Sequence, residues 1–160
     1  MHQLDQSILY DFQLAGTSQK LWKRVGESYE HVLMKALGYA MLAREYPDLR
    51  IEHKVGLRYK PDLVSQAEDG RFLFWGECGQ VSVRKIAWLL KHARVERLVI
   101  FKINTRTAAA LAEELRAEIP AKYRAPGRVT LIAFVPDIIT LTLVRRIPRV
   151  PPEWYTTIHV

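Results

Sequence analysis

The sequence predicts one mixed α/β domain, and three observations support this fold class. Apolar side chains alternate with polar ones in some segments and recur at helical spacing in others, which predicts both strands and helices. The predicted elements follow the order β, α, β, β, β, α, β, α, β, β. The 160 residues are 49% hydrophobic and 26% charged, as is typical of a single globular domain, and neither an internal repeat nor a long linker divides residues 1–160.

The first two elements are a strand and a long helix. Residues 8–14 alternate apolar and polar side chains, which is typical of a half-buried strand, and Gly16-Thr17-Ser18 ends it. From about residue 26 to residue 45, apolar side chains recur at helical spacing. Tyr46-Pro47-Asp48 then ends this predicted helix.

Three strands and a second helix are expected next. Strands are predicted at 51–57, 62–66 and 71–78, the last two joined by a hairpin at Asp69-Gly70. Ser82 is expected to cap a helix that runs to about residue 93. The remaining predictions are a buried strand at 98–101, a helix at 105–119, strands at 128–135 and 138–144, and a proline-rich tail at 148–152 that cannot continue a sheet interior.

Cysteine usage and hydropathy indicate the compartment. Cys78 is the one cysteine of the sequence, which excludes an intrachain disulfide framework and a multi-cysteine zinc site. No segment approaches the roughly 18 uninterrupted apolar residues of a membrane span, and the first five residues lack a basic region followed by an apolar one. We therefore expect a cytoplasmic protein with no membrane contact.

The positive charge of the chain lies in its second half. The formal net charge is +7, yet residues 1–80 carry 10 Lys and Arg against 11 Asp and Glu, whereas residues 81–160 carry 14 against 6. A basic surface of this kind favours anionic partners, above all nucleic acids. The sequence thus joins a nearly neutral half to a strongly basic one.

Two carboxylates are expected to converge in the neutral half. Asp62 opens one strand of the predicted hairpin, and Glu77 ends the other. Strand alternation places Glu77 on the face of Trp75 and directs Cys78 to the opposite face, where we expect it to pack as a buried side chain. An isolated buried anion is very costly. A hard divalent cation held by Asp62, Glu77 and a backbone carbonyl near Cys78 would satisfy both carboxylates.

Acidic residues also mark the start of the first helix. Glu30 continues the apolar stripe toward the N-terminus, so it is expected to point inward, and Glu27 extends the same row by one turn. The alternative is that both residues are ordinary acids of a first helical turn, where they complement the helix dipole.

These residues, in this order on helix, strand and strand, resemble the PD-(D/E)XK nuclease superfamily, and in particular its YaeQ-like branch. The resemblance covers roughly residues 27–102. It is carried by Glu27-Ser28-Tyr29-Glu30 at the helix entry, by Pro61-Asp62, and by Trp75-Gly76-Glu77-Cys78-Gly79-Gln80 running into Arg84-Lys85-Ile86. It implies a restriction-endonuclease-like core, with a mixed central β-sheet flanked by α-helices, in one nuclease-like domain over residues 1–160.

The resemblance also implies a reaction, the hydrolysis of DNA phosphodiester bonds with Mg²⁺ or Mn²⁺. Asp62 and Glu77 would hold the metal together with the backbone carbonyl of Cys78, and Glu30 would add a further ligand or orient the nucleophile. The family's lysine, two residues after the acidic residue, is replaced by Gly79. Its charge is therefore expected from the next helix, with Lys85 as first choice.

Arg84 is the second choice for that charge, and Gln80 would add amide hydrogen-bond donors. Arg84 and Lys85 could instead be solvated residues, and Gln80 could instead bond backbone groups at the corner. Arg84, Trp88 and Lys91 share one helical face, so cations flank an aromatic ring that could lie against a sugar-phosphate backbone. The alternative for Trp88 is core packing.

Three functions remain open from the sequence. The first is a metal-dependent nuclease that acts on DNA. For this function, RNA stays open as the substrate and a homodimer as the assembly. The second is a catalytically inactive nuclease-fold protein that binds nucleic acid, which the absent lysine at Gly79 favours. The third is a protein whose basic surface binds an acidic protein partner.

Overall fold

Two β-sheets lie on opposite sides of one long helix in the computed structural model, which describes residues 6–160. In chain order the strands are β1 (Ile8–Leu14), β2 (Thr17–Lys23), β3 (Arg50–Ile51), β4 (Leu63–Gln66), β5 (Phe72–Cys78), β6 (Leu98–Ile103), β7 (Val129–Phe134), β8 (Arg146–Ile147) and β9 (Tyr155–His159). The helices are α1 (Tyr29–Leu42), α2 (Val83–Lys91), α3 (Thr105–Glu118) and α4 (Ile138–Leu141), with short 3-10 turns at Ala121–Tyr123 and Pro152–Trp154.

The larger sheet is mixed and has the order β3-β4-β5-β6-β7-β9. Strand β5 pairs antiparallel with β4 and parallel with β6, and β7 pairs parallel with β6 and antiparallel with β9. The smaller sheet has the order β2-β1-β8. The expected mixed α/β architecture is therefore confirmed.

Helix α1 fills the space between the two sheets. Its side chains pack against Phe12 and Leu21 of the smaller sheet and against Phe74 and Phe101 of the larger one. Gly38 allows this close approach, because a Cβ at that position would lie 2.6 Å from Leu63 Cδ1. Helix α1 is consequently buried on nearly every side, and charged residues within it need partners inside the protein.

The other face of the larger sheet packs against α2 and α3. Trp75, Leu98 and Ile100 contribute from the strands, and Ile86 and Leu115 contribute from the helices. Strand β5 therefore separates two cores, one toward α1 and one toward α2. No helix within residues 6–160 is both long enough and apolar enough to span a membrane.

The predicted elements are mostly confirmed, with five corrections. The segment 138–144 forms helix α4 and a turn instead of a strand, because Asp137 begins a helical turn and Thr142 closes it with a hydrogen bond to the Ile138 carbonyl. Strands β2 and β8 were not predicted, and both pair with β1. The strand expected at 51–57 is reduced to β3, and β9 adds an edge strand beyond the proline-rich tail.

Candidate active site on both sides of strand β5

Asp62 and Glu77 lie at neighbouring ends of the strand pair β4–β5. Leu63 and Gly76 are the last matched residues of the antiparallel ladder; Asp62 directly precedes β4, and its N–H donates to the Gly76 carbonyl at 3.2 Å, out of register with the ladder. Glu77 lies on the α2 side with Trp75, whereas Cys78 packs on the α1 side. The predicted alternation of β5 is thus confirmed at its end.

Glu77 forms a buried ion pair with Lys85. Its side chain is 5% exposed, and its Oε1 accepts hydrogen bonds from Lys85 Nζ at 2.8 Å and from Trp75 Nε1 at 2.8 Å. Burial raises the pKa of the Glu77 carboxyl, because the loss of hydration outweighs the two hydrogen bonds that lower it. Glu77 and Lys85 are called the α2 pair below.

The local backbone explains why the cation comes from the helix. Gly79, the position at which the PD-(D/E)XK pattern has a lysine, has φ of 81°, in the left-handed region that non-glycine residues rarely adopt. Ser82 then caps α2 by accepting the Lys85 N–H at 3.1 Å, as the sequence predicted. The capped first turn directs Lys85 back over the end of β5, as the sequence predicted for a basic residue of this helix; a salt bridge between Glu77 and such a residue is also the non-catalytic alternative that the sequence left open.

Asp62 belongs to a second cluster on the α1 side. Its Oδ2 accepts the backbone N–H of Cys78 at 2.8 Å and lies 3.4 Å from His31 Nε2. The other ring nitrogen, His31 Nδ1, lies 2.5 Å from Glu27 Oε2. His31 therefore bridges a carboxylate before α1 and a carboxylate at the start of β4.

Lys35 extends this cluster into the core. Its side chain is 0% exposed, and its Nζ contacts Glu27 Oε2 at 2.6 Å and Glu52 Oε1 at 2.7 Å. Glu52 reaches it from a backbone with φ of 53°, an uncommon conformation that the buried ion pair helps to stabilise. Glu27, His31, Lys35, Glu52 and Asp62 are called the α1 network below.

The α1 network shifts the pKa values of its members. Burial by itself would raise the pKa of the Glu27 carboxyl, but hydrogen bonds from His31, Lys35 and the Arg24 N–H outweigh it and lower this pKa to about 2. Burial would likewise lower the pKa of His31, but hydrogen bonds to Asp62 and Glu27 raise it to about 9. His31 is therefore a cation at neutral pH.

The sequence assigned the wrong acid to the first helix. Glu30 was expected to point inward, yet it is exposed, and within residues 6–160 it has no hydrogen bond or ion pair. It lies in the first turn of α1, where an acid facing solvent complements the helix dipole, as the alternative interpretation held. Glu27, one residue before the Ser28 cap, contacts the network instead.

His31, Lys35 and Glu52 were missed by the sequence analysis. The available signal was the spacing of Glu27, His31 and Lys35, which recur every four residues along a helix that is otherwise apolar on this side. Glu52 carried no such signal, because its position depends on a left-handed backbone in a loop that was predicted as strand.

The predicted nucleic-acid residues lie on the outer side of α2. Arg84 and Lys91 are exposed, and Trp88 is half-buried with its ring edge-on to Tyr59 at 5.3 Å between centroids. The Arg58 guanidinium lies 5.8 Å from the Trp88 ring centre, and a loop residue therefore joins the predicted face. This surface combines cations with aromatic rings, and Trp88 is neither fully in the core nor fully in solvent.

Lys85 connects this surface to the α2 pair. Its Nζ contacts Glu77 and also lies 5.1 Å from the ring centre of Tyr59. Neither the loop 53–61 nor the segment 83–95 contains an acidic residue. The cationic surface therefore begins at Lys85, beside the buried Glu77 carboxylate, and continues along α2 with no acidic residue in either segment.

A pocket of about 610 Å³ opens beside the α1 network. Glu27, His31 and Glu52 line it, together with Gly79 and the exposed side chain of Gln80. Gln80 therefore lies between the two clusters at the turn that follows β5, where the sequence placed it.

The capacity for a metal rests on two carboxylates. Within residues 6–160, no group of three or more His, Cys, Asp and Glu side chains is arranged to hold a metal ion. The hydrogen bonds described above use Oδ2 of Asp62 and Oε1 of Glu77, which leaves Oδ1 and Oε2 for a cation or for water. The Cys78 thiol is buried and its pKa is raised by burial, as fits a packing residue.

Two solved structures have a similar fold. The YaeQ protein from Xanthomonas axonopodis pv. citri is 14% identical, with a TM-score of 0.58 over 81% of this chain and 74% of that protein. The YaeQ protein from Pseudomonas syringae is 20% identical, with a TM-score of 0.60 over 84% and 75%. No family model matches the sequence, and no curated protein matches it. The chain therefore has a YaeQ-like mixed α/β fold.

Proposed function

We propose that the chain is a metal-dependent nuclease with a restriction-endonuclease-like core of the PD-(D/E)XK type, which hydrolyses phosphodiester bonds in DNA. The observation that carries the proposal is the 2.8 Å contact between Lys85 Nζ and Glu77 Oε1, with Asp62 directly before β4, the strand that pairs with β5. Two carboxylates and a lysine are the functional groups that such a reaction requires, although the lysine comes from α2 instead of β5.

The donor set is compatible with Mg²⁺ or Mn²⁺. Asp62 and Glu77 each keep one carboxylate oxygen outside the hydrogen bonds of residues 6–160, and oxygen is the ligand that these hard cations prefer. Mg²⁺ usually retains several waters, so two carboxylates suffice as protein ligands. A bound metal would activate water and offset charge on the phosphate oxygens.

The chain's own residues would contribute position and charge. The Lys85 ammonium provides a positive charge beside Glu77, where an attacked phosphate would be stabilised. The charged His31 ring and the Cys78 N–H fix the orientation of the Asp62 carboxylate through contacts at 3.4 Å and 2.8 Å. Glu30 has no part in this proposal because it is exposed and lies outside both clusters.

The surface of α2 would hold the substrate strand. Arg84 and Lys91 are exposed cations that could contact phosphates, and the edge-on rings of Tyr59 and Trp88 could stack against bases. Binding through such cations weakens steeply as the salt concentration rises. A homodimer would extend this surface, and sedimentation of the purified chain would test for one.

The direct test is cleavage of single-stranded DNA, duplex DNA and RNA with Mg²⁺, Mn²⁺ or a chelator. We expect metal-dependent cleavage of at least one DNA substrate that is lost in Asp62→Asn and in Glu77→Gln. Glu113→Gln, a change of the same kind at an exposed position of α3, is the matched control and should cleave normally.

The outcomes separate the proposal from its alternatives. Metal-dependent cleavage that survives both Asp62→Asn and Glu77→Gln would reject the site. Salt-sensitive DNA binding without cleavage under any metal condition would favour the inactive, nucleic-acid-binding alternative, which the glycine at position 79 supports. If no nucleic acid binds, an acidic protein partner becomes the better interpretation of the basic surface.

A further inference from the structure

Lys102 is a buried cation that neither the α2 pair nor the α1 network uses. It lies on β6 beside the end of β5, where Cys78 pairs with Phe101, and its side chain is 8% exposed. Within residues 6–160, its ammonium has no hydrogen bond and no ion pair. No side-chain nitrogen or oxygen within residues 6–160 is both fully buried and unpartnered, so the Lys102 ammonium reaches the solvent from an otherwise buried side chain and is available to an anion.

The Lys102 side chain lines a pocket at the N-terminus of α2. This pocket has a volume of about 400 Å³, and its other lining residues are Gln80, Val81 and Ser82, the last being the N-cap of the helix. Within residues 6–160, none of the backbone N–H groups of residues 80–84 donates a hydrogen bond to another residue. The pocket therefore combines free backbone donors with an ammonium group.

The charge pattern of α2 also requires an anion there. The N-terminus of a helix carries a partial positive charge and usually attracts acidic side chains. The first turn of α2 contains no acid and instead carries Arg84 and Lys85. Glu77 pairs with Lys85, and a bound anion would compensate the remaining charge of Arg84 and of the helix N-terminus.

We propose that this pocket is a phosphate-binding site formed by the Lys102 ammonium, the backbone N–H groups at the start of α2 and the Ser82 cap. Burial lowers the pKa of Lys102, and a bound phosphate would reverse that shift. The turn 79–82 connects Glu77 to α2, so a phosphate held here is a neighbour of the α2 pair. The site does not depend on whether the chain cleaves DNA.

Two sources could provide the phosphate. One is a phosphate monoester, either free or at the end of a nucleic acid, and the other is an internal phosphodiester of a strand that crosses α2. The helix N-terminus and the ammonium group recognise the shared phosphate oxygens in both cases. The experiment therefore compares the two sources.

The first measurement is a titration of the full chain with inorganic phosphate, followed by amide NMR at constant ionic strength set with chloride. We expect saturable shifts confined to the amides of residues 80–84 and a Kd that rises at least tenfold in Lys102→Met. Lys20→Met, the same change at an exposed position of β2, should keep the original Kd. Lys102→Met should also unfold at the same or a higher urea concentration, because the Lys102 ammonium makes no hydrogen bond or ion pair within residues 6–160 that the change would break.

The second measurement compares tetrathymidylate with and without a 5′-phosphate. If the phosphorylated form binds more tightly and this difference disappears in Lys102→Met, the site binds a monoester. If the two forms bind equally and both bind at least tenfold more weakly to Lys102→Met, the site binds an internal phosphodiester. A lack of saturable shifts, or a Kd unchanged in Lys102→Met and in Lys102→Gln, would overturn the proposal. Phosphate binding by a chain that cannot cleave DNA would reject the nuclease and retain this site.

Discussion

The two sides of strand β5 use the same residue types in different ways. In the α1 network, Glu27 accepts hydrogen bonds from His31, from Lys35 and from a backbone N–H, and its pKa falls to about 2. In the α2 pair, Glu77 accepts hydrogen bonds from Lys85 and Trp75 only, and its pKa is raised. Both carboxyls lose hydration, so the number of donors in relation to the depth of burial decides the direction of the shift.

The difference assigns different tasks to the two clusters. The α1 network is a set of mutually satisfied charges that extends from the pocket lined by Glu27, His31 and Glu52 to the fully buried Lys35. The α2 pair contains one carboxyl whose pKa is raised by burial and one lysine that also lies beside the half-buried Tyr59 ring. We infer that Lys35 with Glu27 and Glu52 stabilises the fold, and that the α2 pair, together with Asp62 at the edge of the α1 network, carries out the proposed chemistry.

The largest expected effect is on stability, from Lys35→Met. This change leaves Glu27 and Glu52 without their buried cation and should lower the free energy of unfolding by about 3–5 kcal/mol. Lys85→Met is the matched change on the other side of β5, and it should cost no more than about 2 kcal/mol because Glu77 can take up a proton instead. Urea unfolding of both variants measures the difference, and equal losses would contradict the division of tasks.

The next effect is on catalysis, from Lys85→Met. Removal of one preorganised charge at a reacting centre costs on the order of 100- to 1000-fold in rate, and we expect such a loss in single-turnover DNA cleavage at saturating protein. Lys91→Met should weaken DNA binding and leave the rate at saturation unchanged. A Lys85→Met variant that cleaves as fast as the wild type would show that the α2 pair takes no part in the reaction.

A smaller effect is the pH dependence of stability that the α1 network causes. The pKa of His31 is raised from 6.5 to about 9, so its contribution is complete below pH 6.5 and is lost as the pH rises through 9. The pKa of Glu27 is lowered from 4.5 to about 2, so its contribution is complete above pH 4.5 and is lost as the pH falls through 2.

Urea unfolding between pH 3 and pH 10 measures this dependence. We expect a plateau near pH 5–6 and an alkaline decrease of about 1–2 kcal/mol, since solvent screens the partly exposed His31. His31→Gln should remove the alkaline decrease that belongs to this residue. A wild-type curve that rises between pH 6.5 and pH 9 would show that His31 is not held as a cation.

The smallest expected effect comes from placing a lysine in the turn after β5. Gly79→Lys introduces the residue type that the PD-(D/E)XK pattern has at this position, yet the backbone φ of 81° should make it cost about 1 kcal/mol of stability. In a Lys85→Met background, Gly79→Lys should not recover cleavage, because the strained turn does not hold the new side chain at Glu77. Recovery to near the original rate would show that either element can supply the cation.

The sequence could predict the parts of the site that follow from local rules. Ser82 was recognisable as a helix cap, β5 alternation assigned Glu77 and Cys78 to opposite faces, and the short distance from strand end to helix predicted that a basic residue of α2 reaches back over the end of β5. Each of these depends on residues within about ten positions of one another, where the backbone geometry is nearly fixed by the element type.

The parts that failed depend on tertiary packing. Glu30 and Glu27 have similar helical positions, and only the actual start of α1 at Tyr29 decides which of them faces solvent. The helical position of Lys35 is compatible with an exposed or a buried side chain, and only the packing of the smaller sheet against α1 makes it buried. Glu52 requires a left-handed backbone that no local pattern announced, and the helix α4 appeared as a strand because four residues are too few to show a period.

The lysine on α2 makes the site depend on how two separate elements are held together. A cation on β5 would stay in place as long as the central sheet does, but a cation on α2 is lost whenever this nine-residue helix detaches locally. Proteins open in such subglobal units at free energies below that of complete unfolding. Cleavage should therefore fail at a lower temperature than the fold, and the midpoint of heat inactivation should precede the Tm of the sheet.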